Sequence, residues 1–306
     1  MTIAPWLVDL ITGAGLDPGD IERFARATVA EDLLGGVDVT SVATIPHDQT
    51  GVADIVARSP GVLAGLPVAA AVFYVTSDGA AEIEMRCADG DGVDVGVVVM
   101  SVSGRTRALL TAERSALNIA CHLSGVATQT RRWVEAVSGT KARILDTRKT
   151  TPGLRVLEKY AVRCGGGSGY RLGLSDAAMV KDNHVLAAGG VVAAYRAVRE
   201  QFPDIRVEVE CDSVAQVAEV IAAGADLILL DNMGLDEMRE AVRVTAGRAE
   251  LEASGGLTLD RARAVAETGV DFLSVGALTH SAPVLDLAFD LRPTFSADVS
   301  SSAGVS

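Results

Sequence analysis

The sequence predicts an α/β protein whose C-terminal part is a barrel of parallel strands with helices between them. Three observations carry this expectation. Apolar residues make up 49% of the 306 residues and aromatics only 4%. The core must therefore be built from Ala, Val, Leu and Ile, the usual filling of buried parallel strands covered by helices. After Thr140, short β-branched or leucine-rich runs alternate with helical patterns, which implies parallel strands joined by right-handed crossovers. The junctions AAGADLILL and ETGVDFLSV are also alike, Gly224-Ala225-Asp226 and Gly269-Val270-Asp271 each leading into such a run, as repeated βα units would. About six or seven strands suggest an incomplete α/β barrel, with a doubly wound open sheet as the rival.

The elements follow in order. Asp17 to Leu33 reads as a helix with Pro18 near its start, where the missing N–H costs nothing. GVADIVARS, GVLAG, AEIEMRC and DVGVVVMSVSG read as short strands separated by Gly, Asp and Pro. A long helix is expected from Arg105 to Val137, with Leu109, Leu117, Leu123 and Val126 among its apolar residues. The C-terminal strands are ARILDT, AAMVKD, IRVEVEC, DLILLDN, AELEAS and DFLSVGA. Between them lie helical patterns such as SVAQVAEVIAAG, stopped by Gly224, and LTLDRARAVAETG, stopped by Gly269. The small, polar tail from Ser296 to Ser306 is expected to be mobile.

Charge narrows the partners. The net charge is −13, which argues against nucleic acid. Lys141 through Lys181 nevertheless hold nine Lys or Arg against three Asp or Glu, a local balance of +6. A basic island in an acidic chain suggests a small, highly anionic ligand. The N-terminus lacks the basic leader of a signal peptide, and no charge-free apolar run of about 18 residues predicts a membrane span. Cys87, Cys121, Cys164 and Cys211 are scattered, so a reducing cytoplasm is the expected compartment.

Each C-terminal strand ends in polar residues that a core does not need: Asp146-Thr147-Arg148-Lys149, then Lys181-Asp182, Glu210, Asp231-Asn232, Ser254-Gly255-Gly256 and Gly276. A barrel turns all these ends to one mouth, where barrel enzymes place their chemistry. Arg148, Lys149, Arg171 and Lys181 are cations suited to carboxylate and phosphate. Glu210 and Asp231 oppose them, which makes sense if Mg²⁺ or sugar hydroxyls bind as well. Ser254-Gly255-Gly256 and Gly276 offer backbone N–H groups to a phosphate. The residues therefore read as a site for a phosphorylated sugar with Mg²⁺ beside a second, carboxylate-bearing substrate. A barrel aldolase using Lys181 as a Schiff base is the rival chemistry, but the crowd of arginines argues for charge recognition. The stretch RCGGGSGYRLGL lacks the GxxxxGK[ST] pattern and reads as a flexible mount for Tyr170 and Arg171. His184 reads either as a brace of the site or as a satisfied structural histidine, and His280 is expected to support the Gly276 turn. His47, His122 and Cys211 read as structural.

Several motifs then carry a resemblance. ERSALN (Glu113–Asn118), LDTRKTTPGLR (Leu145–Arg155), EKYAVRCGGG (Glu158–Gly167), KDNH (Lys181–His184), EVE (Glu208–Glu210), LLDNM (Leu229–Met233), SGG and SVGALTHS (Ser274–Ser281) together resemble the quinolinate phosphoribosyltransferase family, also called nicotinate-nucleotide pyrophosphorylase (carboxylating). The resemblance implies an N-terminal α/β sandwich over residues 1–116, completed by residues 281–306. It implies a type II phosphoribosyltransferase barrel over residues 117–280. It also implies a homodimer and a Mg²⁺-dependent reaction of quinolinate with phosphoribosyl pyrophosphate that gives nicotinate mononucleotide, pyrophosphate and CO₂. By position, Arg148 and Arg171 would hold the quinolinate carboxylates, with Thr147, Tyr170 and Lys181 beside them and Arg114 reaching in from the partner subunit. Lys149 would meet the pyrophosphate, Glu210 and Asp231 the ribose hydroxyls and Mg²⁺, and Ser254, Gly255, Gly256 and Gly276 the 5′-phosphate. One departure stands out: the family's Asn-His before this arginine is Gly169-Tyr170 here. That change leaves open weakened quinolinate activity, another aromatic or pyridine carboxylate as acceptor, or a non-catalytic paralogue.

Overall fold

The computed structural model describes residues 3–292; the tail Ser296–Ser306 lies outside them. The chain forms two units. The first comprises Met1–Pro60, Gly65–Cys121 and the chain from Asp286, and the second comprises Gly61–Ala64 and His122–Leu285. Strands β1 (Thr50–Ala57), β2 (Gly61–Val62), β3 (Glu82–Met85), β4 (Gly92–Val93) and β5 (Val98–Arg105) precede the helix Thr106–Ala136. Strands β6 (Arg143–Leu145), β7 (Ala178–Val180), β8 (Val207–Cys211), β9 (Leu227–Asp231), β10 (Glu250–Ser254) and β11 (Phe272–Ser274) follow it, and β12 (Leu287–Leu291) comes last.

In the first unit the sheet order is β12-β1-β5-β3, and each neighbouring pair is antiparallel. The helix Pro18–Leu33 opens where the sequence predicts, because the Asp17 side chain accepts the Asp20 N–H at 2.8 Å and so satisfies one free donor of the first turn. Its buried residues Ile21, Ala25 and Val29 are four apart and form one stripe. Periodicity gives no assignment for Leu66–Thr76, which is a helix buried from Leu66 to Val75. A helix apolar on every side carries no 3.6-residue signal. Its Phe73 stacks on Phe289 with ring centroids 5.8 Å apart. Burying such a side chain contributes roughly 1.5–3 kcal/mol.

In the second unit all six predicted strands form one parallel sheet with the order β6-β11-β10-β9-β8-β7. The doubly wound rival fails on this order. Successive strands β7 to β11 lie side by side, and β6 joins at β11 rather than reversing the sheet from its middle. The ring is open between β6 and β7, and the glycine-rich stretch fills that seam. Ser168 forms a parallel bridge to Leu145, donating to Ile144 O at 2.9 Å while its carbonyl accepts from Asp146 N at 3.0 Å.

The units divide between Cys121 and His122 and between Leu285 and Asp286, not at 116/117 and 280/281. The first division falls inside the continuous helix Thr106–Ala136, where no break in periodicity can mark it. Residues Gly61–Ala64 belong to the second unit. Their backbone is held by that unit's helix, with Val62 N donating to Thr128 Oγ1 at 2.8 Å and Ala64 N to Ser124 Oγ at 3.0 Å.

Candidate active site

At the C-terminal ends of β6 to β11 lies a cavity of about 630 Å³. Thr147, Arg148, Lys149, Tyr170, Arg171, Lys181, Glu210, Asp231, Ser254, Gly255, Gly256 and Gly276 all line it. The parallel register makes this convergence, since it brings Asp231 level with Ser254 and Glu210 level with Leu229. Arg114 does not line the cavity. It is 64% exposed in the first unit, 3.7 Å from Glu113.

One wall is cationic. Arg171 is only 8% exposed and donates from Nη1 to Ala177 O at 3.2 Å. The Nε atoms of Arg148 and Arg171 are buried without partners. Burial, then repulsion from Arg171 and Arg155, pulls the Arg148 pKa down. Two guanidiniums that repel each other across buried, unpaired donors create a demand for an anion. Opposite them, Lys181 Nζ pairs with Glu210 Oε2, and Asn232 Nδ2 donates to Asp231 Oδ2 at 2.8 Å.

The third part of the wall is bare backbone. Gly255 has φ +88° and Gly256 has φ +58°. A Cβ on Gly276 would stand 2.9 Å from Lys149 Cδ and 3.3 Å from His280 Nε2. Only glycine lets the lysine stem cross so closely. Thr279 Oγ1 donates to Lys149 O at 2.8 Å and fixes that crossing. His184 accepts the Lys181 N–H at Nδ1, 3.0 Å away, and so caps the helix Asp182–Ala188.

Tyr170 differs from its expected role. Its hydroxyl donates to Ala178 O at 3.1 Å, and its ring packs against the buried cluster Leu145, Leu227 and Phe272. Burial pushes its phenol pKa up. Arg206 sits over the ring, 5.5 Å from its centroid. The side chain thus runs into the barrel interior, and it gives the cavity a wall rather than a hydrogen-bond donor.

Sequence reasoning missed several lining residues, among them Lys159, Glu252 and Ser274. Glu252 was within reach, because strand alternation places it on the same face as Ser254, as it places Glu208 with Glu210. Glu208 and Glu252 are 0% and 3% exposed. Among the described residues no N–H or O–H donor meets either oxygen of Glu208. The facing Glu252 carboxyl can satisfy it only when one of the two is protonated. Burial first, then Glu252, pushes Glu208 up to about 10, and Ser274 Oγ donates to Glu252 Oε1. Lys159 gives no strand-end signal, because it reaches the site from a helix.

Residues 38–124 match the family model of the quinolinate phosphoribosyl transferase N-terminal domain, and residues 126–290 that of the C-terminal domain. A nicotinate-nucleotide pyrophosphorylase [carboxylating] from Mycobacterium leprae (strain TN) is 48% identical over 270 residues, covering 87% of this chain and 95% of the relative. A probable nicotinate-nucleotide pyrophosphorylase [carboxylating] from Bacillus subtilis (strain 168) is 42% identical over 272 residues, covering 89% and 93%. The solved structure of NadC from Streptococcus pyogenes superposes with a TM-score of 0.86 at 40% identity, covering 91% of this chain and 97% of that one. With both domain models matched in order and relatives this similar over nearly their whole length, the chain belongs to the quinolinate phosphoribosyltransferase family.

Proposed function

We propose that this protein transfers the phosphoribosyl group of phosphoribosyl pyrophosphate to quinolinate with loss of CO₂, forming nicotinate mononucleotide and pyrophosphate. The observation that carries this reading is the single cavity that joins Arg148 and Arg171, whose buried Nε atoms lack partners, to Lys149, Glu210, Asp231 and the bare backbone at Gly255, Gly256 and Gly276. Arg148, Arg171 and Lys181 hold the acceptor's carboxylates. The glycines seat the 5′-phosphate, and Lys149 lies against the pyrophosphate.

As pyrophosphate leaves C1 of the ribose, positive charge spreads over the sugar ring. Glu210 and Asp231 face that charge and hold the ribose hydroxyls, while Lys149 stabilises the departing oxygens. The pyridine nitrogen then attacks C1. The positive nitrogen of the new pyridinium stabilises the electron pair left on C2 when the C2–carboxylate bond breaks, so CO₂ departs and that pair takes a proton from water. Removing either arginine should cost on the order of 10²–10³ in rate.

Mg²⁺ fits this donor set as a shared ion. Among the described residues no three His, Cys, Asp or Glu converge to hold a metal, whereas one or two carboxylates with substrate phosphates suffice for Mg²⁺. Glu210 and Asp231 would hold it, and it would neutralise charge on the leaving pyrophosphate.

A homodimer with Arg114 entering the neighbouring subunit's site belongs to the same proposal. Apolar side chains exposed in both units support it: Leu34, Val37 and Val39 in the first, and Leu172, Leu174 and Leu186 in the second. Mixing an Arg114→Ala variant with a Lys149→Ala variant should restore partial activity if Arg114 acts across subunits, and no restoration would refute it. Among the described residues no helix is long and apolar enough to cross a membrane. The cytoplasm as the compartment rests on the four free cysteines, which a reducing compartment keeps as thiols.

The test of the reaction mixes protein, Mg²⁺ and phosphoribosyl pyrophosphate with quinolinate, and in parallel with nicotinate. Release of CO₂ and nicotinate mononucleotide from quinolinate alone is expected. Turnover of nicotinate, or of neither acid, would overturn the reading and move the search to other aromatic carboxylates.

A further inference from the structure

The helix Arg155–Cys164 grips the loop of residues 146–151 at both ends. At the start, Lys159 Nζ pairs with Asp146 Oδ1, the two side chains being 4% and 1% exposed. At the end, the wholly buried Glu158 accepts the Thr151 N–H at 3.0 Å. Its other oxygen lies 2.9 Å from His122 Nε2. Arg155 Nε adds a bond to Thr150 Oγ1 at 3.0 Å. Arg148 and Lys149 project from between these anchors.

The same helix reaches the second arginine-bearing loop. The buried Asp146 Oδ2, which has no hydrogen-bond partner among the described residues, lies against Gly169 of that loop. A Cβ on Gly169 would stand 2.9 Å from Asp146 Oδ2, so the loop approaches this closely only because residue 169 is glycine. Arg155 Nη1 donates to Leu172 O at 3.2 Å. Arg171 lies between the close approach at Gly169 and the bond at Leu172. The Arg148 and Arg171 guanidiniums repel each other and need fixed mounts to stay close enough to share one dianion. A buried ion pair is a weak source of stability, because apolar replacements of similar volume are often neutral or better. Its value here lies in orientation.

We propose that Lys159, acting through Asp146, is a positioning residue that sets the spacing of Arg148 and Arg171 and hence the grip on the acceptor's carboxylates. Donor binding is spared, because Lys149 has its own anchor in Thr279. The inference rests on the reading of the acceptor as a pyridine dicarboxylate.

Removing one partner alone would strand a buried charge and endanger folding, so the informative variant is the double Asp146→Asn/Lys159→Met. It is expected to fold, with kcat/KM for quinolinate falling on the order of 10²-fold and KM for phosphoribosyl pyrophosphate unchanged. Amide exchange in residues 146–151 and 168–172 should quicken. A folded double variant with the wild-type KM for quinolinate, or with both KM values raised equally, would overturn the proposal. If the wild-type protein does not turn over quinolinate, the proposed function fails but the clamp is still decided by exchange. Unchanged protection of the two loops would then refute it, and quickened exchange would sustain it.

Discussion

Gly255→Ala tests the seat of the donor's phosphate. The backbone at Gly255 has φ +88°, where an L-residue costs about 1–2 kcal/mol. Its new Cβ would stand 2.2 Å from Asn232 Oδ1 and 3.0 Å from Asn232 N. Asn232 has little room to retreat, because its own φ is +54° and its N–H is bonded to Ser254 O at 2.9 Å. The side-chain amide must swing away, and its hydrogen bond to Asp231 is lost. A bond to a carboxylate contributes about 1.5–3 kcal/mol, and this exposed one belongs at the lower end. The combined cost is about 2–4 kcal/mol, seen as a Tm lower by about 5–10 °C and as a KM for phosphoribosyl pyrophosphate raised about tenfold. Thermal denaturation and kinetics at saturating acid measure the two parts. Asn232→Ala removes the obstructing amide, so Gly255→Ala should cost less in that background, with a coupling of about 1–2 kcal/mol. A Gly255→Ala protein with wild-type Tm and donor KM, or strict additivity with Asn232→Ala, would refute the reasoning.

Tyr170→Phe should lower stability by about 0.5–1.5 kcal/mol, the value of one buried hydrogen bond, and leave the KM for quinolinate unchanged. A several-fold rise would show that the hydroxyl serves the acid instead of Ala178. Burial raises the Glu158 pKa, but the hydrogen bonds from His122 and Thr151 outweigh it and hold the carboxyl below its ordinary 4.5. The unfolded chain then takes up this proton before the folded protein does, so stability present above the ordinary carboxylate pKa is lost as pH falls through the folded value. Glu158→Gln should flatten the acid limb of a Tm-against-pH curve, and an unaltered limb would count against the assignment. Chelation with EDTA should abolish turnover while leaving the Tm unmoved, because two carboxylates bind the ion only together with substrate. Activity that survives chelation would remove Mg²⁺ from the proposal.

How much of this was legible in the sequence follows from which geometry is local. A strand's last residue and its hydrophobic run are written together in the chain, so Lys181, Glu210, Asp231 and Ser254 could be assigned to one mouth as soon as parallel strands were inferred. The same alternation, carried two residues back, reaches Glu208 and Glu252, so the buried carboxyl pair was legible in principle. Other features depend on partners remote in sequence. Nothing near Lys159 says that its amine meets Asp146. Nothing in Gly169-Tyr170 says that the ring turns inward to Leu145, Leu227 and Phe272, because the direction of a side chain on a glycine-rich stretch is set by the seam it fills. The substitution that made the acceptor uncertain therefore has a local structural explanation. Gly169 admits the Asp146 carboxylate, Tyr170 bridges from the β6 side to the start of β7, and in the proposed reaction the recognition of the acid falls to Arg148 and Arg171.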